Sequence, residues 1–275
     1  MNKAEILAGI ERVGVVPVIR AESADEATRA VDAIVEGGVN VLEITMTVPG
    51  AVGLIEAVRR RDATAIVGAG TVLDPETARA CILAGAHFVV SPAVNTATIE
   101  LCRRYGVPVM PGALTPTEVL TAWTAGADVV KVFPCGSVGG ASYIKSLKAP
   151  FPQIPLMPTG GVNLKTAADF IRAGSVALGV GADLVDLKTL REGGAAVITE
   201  RARDFVKIVR DARRPADQRR HERAVGRRAG ILVSGDARRR AEGGEDPARC
   251  DLRGPAPAGR EQAGGDDCAP GRRHG

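Results

Sequence analysis

Residues 125–133, AGADVVKVF, join a turn of small residues to an apolar run typical of a buried β-strand. The same order of small turn and apolar run occurs three more times along the chain. The other copies are EGGVNVLEI from Glu36, AGAHFVVSP from Ala84 and RAGSVALGV from Arg172. Four copies of one pattern indicate an internal repeat, so one structural unit is expected to recur through this part of the chain.

Further apolar runs between these copies bring the number of predicted strands to eight. They cover residues 15–19, 41–45, 65–71, 88–92, 108–112, 129–133, 156–159 and 177–181. The gaps contain helix-like stretches, such as SADEATRAVDAIVEGG, in which Ser23 can cap the start and Gly37 and Gly38 suit the end. Alternating strands and helices predict an α/β fold with a parallel sheet, and eight units favour a compact (β/α)8 TIM barrel with an N-terminal helix. An open, doubly wound sheet is the alternative, because periodicity does not reveal closure.

The charge of the chain is divided unevenly. All 275 residues together carry a formal net charge of +4, but the last 63, from Arg213, hold 15 arginines, no lysine and 10 acidic residues. This segment has too few large aliphatic residues to bury a core. We therefore predict two parts, a folded (β/α)8 barrel over residues 1–212 and a disordered tail over residues 213–275 that is rich in Arg, Gly, Ala and Pro.

Composition also limits the cellular setting. No apolar run approaches the roughly 20 residues that span a bilayer, and the N-terminus is typical of a capped amphipathic helix. The five cysteines show neither metal-ligand spacing nor a disulfide framework. We expect a soluble, cytoplasmic protein that does not bind membranes.

Two charged residues interrupt the predicted apolar strands. Lys131 alternates with Val129 and Phe133 on one strand face, and Glu43 lies within the second strand. Removing an ammonium group from water disfavours its charged form and yields the neutral amine that can attack a carbonyl and form a Schiff base. Glu43 can serve such a reaction as general acid and base. The simpler interpretation is a structural ion pair between the two side chains.

Glycines follow the last two predicted strands, in PTGGV from Pro158 and GVGAD from Gly179. Backbone N–H groups in such turns can hold a phosphate at the carboxyl ends of barrel strands. The third glycine of a dinucleotide-binding fingerprint is missing, because Leu73 and Leu184 occupy that position. The sequence therefore favours a phosphate site over a dinucleotide site.

Metal chemistry finds little support in the histidines. His221 and His274 lie in the tail, and His87 precedes a predicted strand, at the end opposite to the expected site. We therefore predict no metal and no other cofactor.

Six segments appear in the order VLEITMTVPGA, IVGAGTV, FVVSPA, MPGALTPTE, VVKVFP and MPTGGVN. Together they resemble the 2-keto-3-deoxy-6-phosphogluconate (KDPG) aldolase family, also called 4-hydroxy-2-oxoglutarate aldolases, from about residue 10 to residue 210. The resemblance implies a class I aldolase on a (β/α)8 barrel, normally a homotrimer. Such an enzyme cleaves a phosphorylated keto-deoxy sugar acid to pyruvate and glyceraldehyde 3-phosphate.

The resemblance also implies roles for individual residues. Lys131 matches the Schiff-base lysine, and Glu43 matches the acid/base glutamate. The positions that match the lining of the pyruvate pocket are Thr71, Pro92, Phe133 and Thr159. The positions expected around the phosphate are Gly160, Gly161, Gly181 and Ala182.

Two positions depart from the family pattern. Thr47 stands where some members carry an arginine for the substrate carboxylate, while other members have an arginine that ends the first strand, as Arg20 does here. We expect Arg20 to supply the carboxylate clamp, against the alternative of a surface arginine beside Glu22. Ala182 replaces a serine near the phosphate, which removes one hydroxyl donor but leaves the backbone N–H.

Three other functions compete with this interpretation. An aldolase for the galactonate-derived C4 epimer would share the motifs. A phosphosugar epimerase or isomerase barrel would share the glycines but would not require Lys131. A nucleic-acid-binding arm is conceivable for the arginine-rich tail, but its interspersed acidic residues and lack of aromatic residues argue against it; a passive tail, or out-of-frame translation of GC-rich sequence, is favoured.

Overall fold

The computed structural model describes residues 1–214, in which short strands alternate with helices along the chain. The strands are β1 (Val15–Ile19), β2 (Val41–Thr45), β3 (Ile66–Gly70), β4 (Phe88–Val90), β5 (Val109–Met110), β6 (Gly112–Ala113), β7 (Val130–Val132), β8 (Leu156–Pro158) and β9 (Leu178–Val180). Every predicted strand therefore has a counterpart. The fifth is recorded as β5 and β6 on either side of Pro111, which has no N–H to donate to a ladder.

Ten α-helices lie between and around these strands in the described residues. They are α1 (Lys3–Val13), α2 (Ala24–Glu36), α3 (Ala51–Arg61), α4 (Pro75–Leu83), α5 (Thr96–Arg104), α6 (Pro116–Ala125), α7 (Ala141–Lys148), α8 (Ala167–Arg172), α9 (Leu187–Arg191) and α10 (Ala195–Arg213). The Ser23 hydroxyl caps α2 by accepting from the backbone N–H of Glu26 at 3.1 Å, as the sequence predicts. A 3-10 helix, Cys135–Val138, precedes α7.

All strand pairs in the described chain are parallel. One sheet has the order β5-β4-β3-β2-β1-β9, and a second has the order β6-β7-β8. An isolated parallel bridge between Thr159 and Gly179 joins the end of β8 to β9. The first strand thus pairs with the last, and the fold is a mixed α/β structure with a curled parallel sheet.

The strands bury apolar side chains on both faces, as parallel strands covered by helices should. Val130 and Val132 belong to the large core between strands and helices, whereas Val129 belongs to a smaller inner cluster. That inner cluster also takes Ile6 and Ile10 from α1, which packs on β1, β2 and β3. Its remaining fully buried members are Val16, Val41, Ile66, Phe88, Val90, Met110, Met157 and Ala177.

The end of α10 bears on the predicted domain boundary. Arg213 is the last residue of this helix, and its guanidinium donates to the carbonyl oxygens of Arg12 at 3.2 Å and Val176 at 2.7 Å. The predicted disordered tail lies outside the described residues from 215 onward. Within residues 1–214, no helix combines the length and apolar character that crossing a membrane requires.

Candidate active site

Lys131 of β7 and Glu43 of β2 meet inside the curled sheet. Lys131 Nζ lies 3.7 Å from Glu43 Oε1, and the two side chains are 3% and 0% exposed. Parallel strands place their carboxyl ends at one edge of the sheet, so residues far apart in sequence come together there. The structure therefore brings together the two charges that interrupt the apolar strands.

Glu43 is poorly compensated for a buried carboxylate. Neither of its side-chain oxygens accepts a hydrogen bond within the described residues. The separation from Lys131 exceeds the roughly 2.7–3.2 Å of a direct N–H to O bond, so the two groups are close without forming a tight ion pair. Burying a carboxylate without donors costs stability, and such costs are concentrated at functional sites.

Two glycines of β3 create the space that this arrangement needs. A Cβ at Gly70 would lie 2.2 Å from Glu43 Oε1, and one at Gly68 would lie 2.3 Å from Phe88 Cε2. The residues are two apart in a strand, so both face the same side. The sequence analysis did not predict that these glycines make room for Glu43 and Phe88, although their period-two spacing in a buried strand was a usable signal.

Thr71, directly after β3, has an unusual backbone conformation. Its φ is +58°, and among the described residues it is the only one other than glycine with a positive φ. A β-branched residue in this left-handed region is strained, and such strain is typical of functional sites. The sequence indicates Thr71 through its place at the carboxyl end of the third predicted strand and through the family resemblance.

A cavity of about 200 Å³ opens at the ends of β1, β7, β8 and β9. Lys131 Nζ lies 5.4 Å from the centroid of the Phe133 ring, which lines this cavity, but neither Lys131 nor Glu43 lines it. Seven of the predicted site residues line it, namely Arg20, Phe133, Thr159, Gly160, Gly161, Gly181 and Ala182. Thr71 and Pro92 do not line it; they follow the neighbouring strands β3 and β4.

Thr159 contributes a second buried polar atom without a partner. Its Oγ1 makes no hydrogen bond in the described part of the chain and lies 2.1 Å from where a Cβ at Gly179 would be. Glycine at position 179 therefore makes room for the threonine hydroxyl. Together with Glu43, this hydroxyl is a polar group without a protein partner at the same end of the sheet.

Arg20 is exposed at the cavity rim, and it makes no ion pair or hydrogen bond within residues 1–214. Its neighbour Glu22 is paired instead with Arg191, at 2.9 Å. Behind Arg20, the Thr45 hydroxyl donates to the carbonyl of Ile19 at 2.9 Å. Arg20 is thus an exposed cation beside Glu22, and within residues 1–214 its guanidinium is not paired with that carboxylate.

The turn after β8 has the conformation that its glycines allow. Gly160 and Gly161 have φ values of +84° and +79°. The carbonyl of Gly160 accepts from the N–H of Gly136 at 2.9 Å, and a Cβ at Gly161 would lie 2.8 Å from Gly136 Cα. The N–H groups of Gly161 and Ala182 form no backbone hydrogen bond in the described residues, so both can donate to an anion in the cavity.

Pro92 belongs to a tightly packed backbone contact. A Cβ at Gly112 would lie 2.1 Å from the carbonyl oxygen of Pro92, so only glycine fits where the two chain segments meet. The preceding Ser91 hydroxyl donates to the carbonyl of Ala93 at 2.7 Å. The structure thus gives the Pro92 segment a fixed conformation at the end of β4.

His87 lies at the opposite end of the strands from Lys131. Its Nδ1 accepts from the backbone N–H of Val67 at 3.2 Å. Burial, aided by the charge of Arg59, lowers the pKa of His87 to about 4, so the ring is neutral near pH 7. Among residues 1–214, no group of three or more His, Cys, Asp or Glu residues could hold a metal ion.

Comparisons with known proteins agree with this geometry. Residues 6–201 match the family model described as "Aldolase: KDPG and KHG aldolase". The 2-dehydro-3-deoxy-phosphogluconate aldolase of Treponema pallidum is 33% identical over 74% of this chain and 97% of its own length. The 2-dehydro-3-deoxy-6-phosphogalactonate aldolase of Escherichia coli is 36% identical over 73% of this chain and 97% of its own length.

A solved structure extends the comparison to the fold. It is a KDPG aldolase from Legionella pneumophila with pyruvate captured at low pH as a covalent carbinolamine intermediate. It is 27% identical, superposes with a TM-score of 0.68, and covers 73% of this chain and 97% of its own. By the matched residues and the identities of its relatives, the chain belongs to the KDPG and KHG aldolase family, and aldolases are lyases.

Proposed function

We propose that this protein is a class I aldolase that cleaves 2-dehydro-3-deoxy-6-phosphogluconate to pyruvate and glyceraldehyde 3-phosphate. It would also cleave 4-hydroxy-2-oxoglutarate to pyruvate and glyoxylate. The observation that carries the proposal is the buried pair of Lys131 and Glu43, 3.7 Å apart, in which the carboxylate accepts no hydrogen bond within the described chain. A nucleophilic amine beside a proton-transferring carboxylate is what Schiff-base cleavage requires.

The reaction proceeds in balanced steps. Lys131 Nζ, as the free amine, attacks C2 of the substrate. The resulting carbinolamine takes up a proton from water and loses a water molecule to give an iminium ion. Glu43 accepts the proton of the C4 hydroxyl, the C3–C4 bond breaks, and its electron pair moves into the iminium to form an enamine. After the aldehyde leaves, C3 takes a proton from Glu43. Water then hydrolyses the iminium to release pyruvate, the free amine and the proton that was taken up when the iminium formed. The imine is the electron sink, so these steps need no metal or other cofactor.

The remaining site residues hold the two ends of the substrate. Arg20, Thr71 and Thr159 bind the carboxylate, and Pro92 and Phe133 enclose the pyruvate portion. The phosphate lies against the turn residues Gly160, Gly161, Gly181 and Ala182. Support comes from the free guanidinium of Arg20, the unpartnered hydroxyl of Thr159 and the unbonded N–H groups of Gly161 and Ala182.

The galactonate-derived epimer is a second candidate substrate. The Escherichia coli relative named for the 6-phosphogalactonate compound is 36% identical to this chain, a value similar to those of the phosphogluconate aldolases. The motifs hold the carboxylate and the phosphate but do not orient the C4 hydroxyl. The two epimers therefore compete for the same site in this proposal.

The architecture and setting follow from the same proposal. The curled sheet closes into a (β/α)8 barrel; the bridge between Thr159 and Gly179 and the chain continuity of β5 and β6 through Pro111 support this closure. The enzyme is a cytoplasmic homotrimer that binds neither membranes nor nucleic acid. Its catalytic part ends near residue 212, and the predicted tail, from residue 215 onward, lies outside the described residues.

A lyase assay tests the proposed function. Pyruvate release is measured with both phosphorylated epimers and with 4-hydroxy-2-oxoglutarate, and kcat/KM ranks them. We expect turnover of the phosphogluconate compound by the wild-type protein and none by Lys131→Ala. Turnover only of the galactonate epimer would select the second candidate, and turnover of none of the three would refute the proposal.

A further inference from the structure

Arg191, at the end of α9, forms a charge cluster with the start of α2. Its guanidinium contacts Glu22 Oε1 at 2.9 Å and Glu26 Oε1 at 2.5 Å. The backbone N–H of Glu22 also donates to Glu26 Oε2 at 2.9 Å. The Glu26 side chain is 6% exposed, and hydrogen bonding to Arg191 lowers its pKa. Two carboxylates therefore share one arginine that lies 165 residues further along the chain than Glu26.

These contacts anchor the segment that carries Arg20. On one side, the carbonyl of Ile19 accepts from the Thr45 hydroxyl at 2.9 Å. On the other side, Glu22 is held by Arg191. Arg20 lies between these two anchors, so its backbone is fixed while its side chain is free to turn toward the cavity.

The cluster also determines which charges Arg20 meets. Glu22 is two residues from Arg20, and its side chain is 82% exposed, so it would be a natural partner for that guanidinium. Asp186 lines a cavity of about 340 Å³ with Arg20 and Lys188, but it is paired with Arg201 at 3.1 Å. Asp183 lines the 200 Å³ cavity and forms no ion pair in the described residues. Arg29 is the other cation near Glu26.

We propose that Arg191 is a positioning residue that keeps Arg20 unpaired by holding Glu22 and Glu26, so that the Arg20 guanidinium remains available to the substrate carboxylate. This inference rests on the proposed function, in which Arg20 binds that carboxylate. Without Arg191, the exposed carboxylate of Glu22, two residues from Arg20, would compete with the substrate for the same cation. The binding of an anionic substrate would weaken, while the chemistry at Lys131 would not change.

Borohydride inactivation with pyruvate as the probe tests this role. The rate of inactivation is measured at a series of pyruvate concentrations. The resulting curve gives two separate values, the pyruvate concentration at half the limiting rate and the limiting rate itself. The variants are Arg191→Met, Arg191→Lys, and Arg191→Met combined with Glu22→Gln. Arg61→Met is the matched control, because it breaks the ion pair between Arg61 and Asp32 away from the cavity.

The expected pattern distinguishes positioning from general stabilisation. Arg191→Met should raise half-saturating pyruvate about two- to fivefold at an unchanged limiting rate, because exposed charge pairs are worth little each. Adding Glu22→Gln should restore the wild-type value, Arg191→Lys should stay near it, and Arg61→Met should match it. Should Arg191→Met fail to fold, Arg191→Gln retains an N–H donor for buried Glu26 and should show the same shift.

Two results would overturn the inference. One is unchanged half-saturating pyruvate in the folded Arg191 variant; the other is a shift that persists when Glu22 is neutralised. Failure of the proposed function looks different, because the wild-type protein itself would then resist inactivation by pyruvate and borohydride.

Discussion

The two ends of the strands use the same inward-facing positions in opposite ways. At the amino end, Val41, Ile66 and Val129 join the inner apolar cluster, which α1 covers. Two residues further along their strands, the corresponding positions are Glu43, Gly68 and Lys131. Two residues of a strand span about 7 Å, so the apolar region that provides stability lies about 7 Å along the strands from the region that provides the chemistry.

Polar groups show the same contrast. At the amino end, His87 is buried, neutral and hydrogen-bonded to the backbone of Val67. At the carboxyl end, Glu43 and Thr159 have buried oxygens without partners in the described chain, and Thr71 has a strained φ. The carboxyl end loses stability because it keeps reactive groups available, and burial at the apolar end compensates for that loss.

The largest expected effect is at the reactive end. Lys131→Met should lower kcat by at least about 10⁴-fold, because the nucleophile is lost while an apolar chain of similar length fills its place. Lys145→Met, an exposed position on α7, is the control and should retain full activity.

A change at the amino end should have the reverse profile. Ile66→Ala removes a buried side chain from the inner cluster and should lower the free energy of unfolding by about 2–5 kcal/mol. In protein that remains folded, the rate of borohydride trapping at Lys131 should change little. Leu83→Ala, at a side chain that is 66% exposed, should barely alter stability. If this amino-end variant lost trapping as completely as Lys131→Met, the two ends of the strands would not have separate roles.

Gly70→Ala tests the space around the carboxylate. The added methyl group would collide with Glu43 Oε1, so the carboxylate must move, and displacement of a catalytic group by about 1 Å can cost about 10²-fold in kcat. Gly53→Ala in α3 is the control, because nothing lies within 4 Å of its added Cβ. Unchanged kcat in Gly70→Ala would show that the position of Glu43 is not critical.

His87 predicts a pH effect on stability at the apolar end. Its pKa in the folded protein is about 4, below the ordinary 6.5, so the unfolded chain binds the proton more readily. The stability that comes from burying the neutral His87 ring is fully present above pH 6.5 and is lost as the pH falls toward 4. The loss in the free energy of unfolding is at most about 3 kcal/mol. Urea titrations at pH 7.5 and 4.5 should show a smaller loss for His87→Asn than for the wild type; equal losses would contradict the assignment.

Truncation should have the smallest effect. A chain that ends after Arg214 should keep kcat/KM near the wild-type value, since no site residue is removed. A chain that ends after Ala212 also loses the two hydrogen bonds of Arg213 near the amino end and should be about 1 kcal/mol less stable. Thermal unfolding of the two truncated chains gives the comparison. A marked loss of activity on removing residues 215–275 would assign that segment a role in catalysis.

Much of the strand layout was predictable, because buried parallel strands are continuous apolar runs. The predictions of 15–19 and 41–45 coincide with β1 and β2, whereas 88–92 and 129–133 extend beyond β4 and β7. The extra residues include Pro92 and Phe133, which leave the ladder where the chain turns to form the site. Hydrophobic pattern alone does not reveal where a ladder stops.

The part of the candidate site that could be predicted is the part whose chemistry follows from the residue type alone. Lysine and glutamate inside apolar strands stand out without any structure, and glycine turns indicate an anion site. The left-handed φ of Thr71 and the pairing of Glu26 with Arg191 were not predictable, because they depend on tertiary contacts that periodicity does not encode. The space that Gly70 provides for Glu43 depends on the register between β2 and β3.

The most direct test of the division between the two ends is covalent trapping. The wild-type protein is incubated with pyruvate and borohydride, digested, and mapped by mass spectrometry. We expect one adduct on the peptide that contains Lys131, with the mass of pyruvate less one water plus two hydrogens, and none in Lys131→Met. An unmodified Lys131 in folded, wild-type protein, or an adduct of equal yield on another lysine, would contradict the assignment of the reactive end.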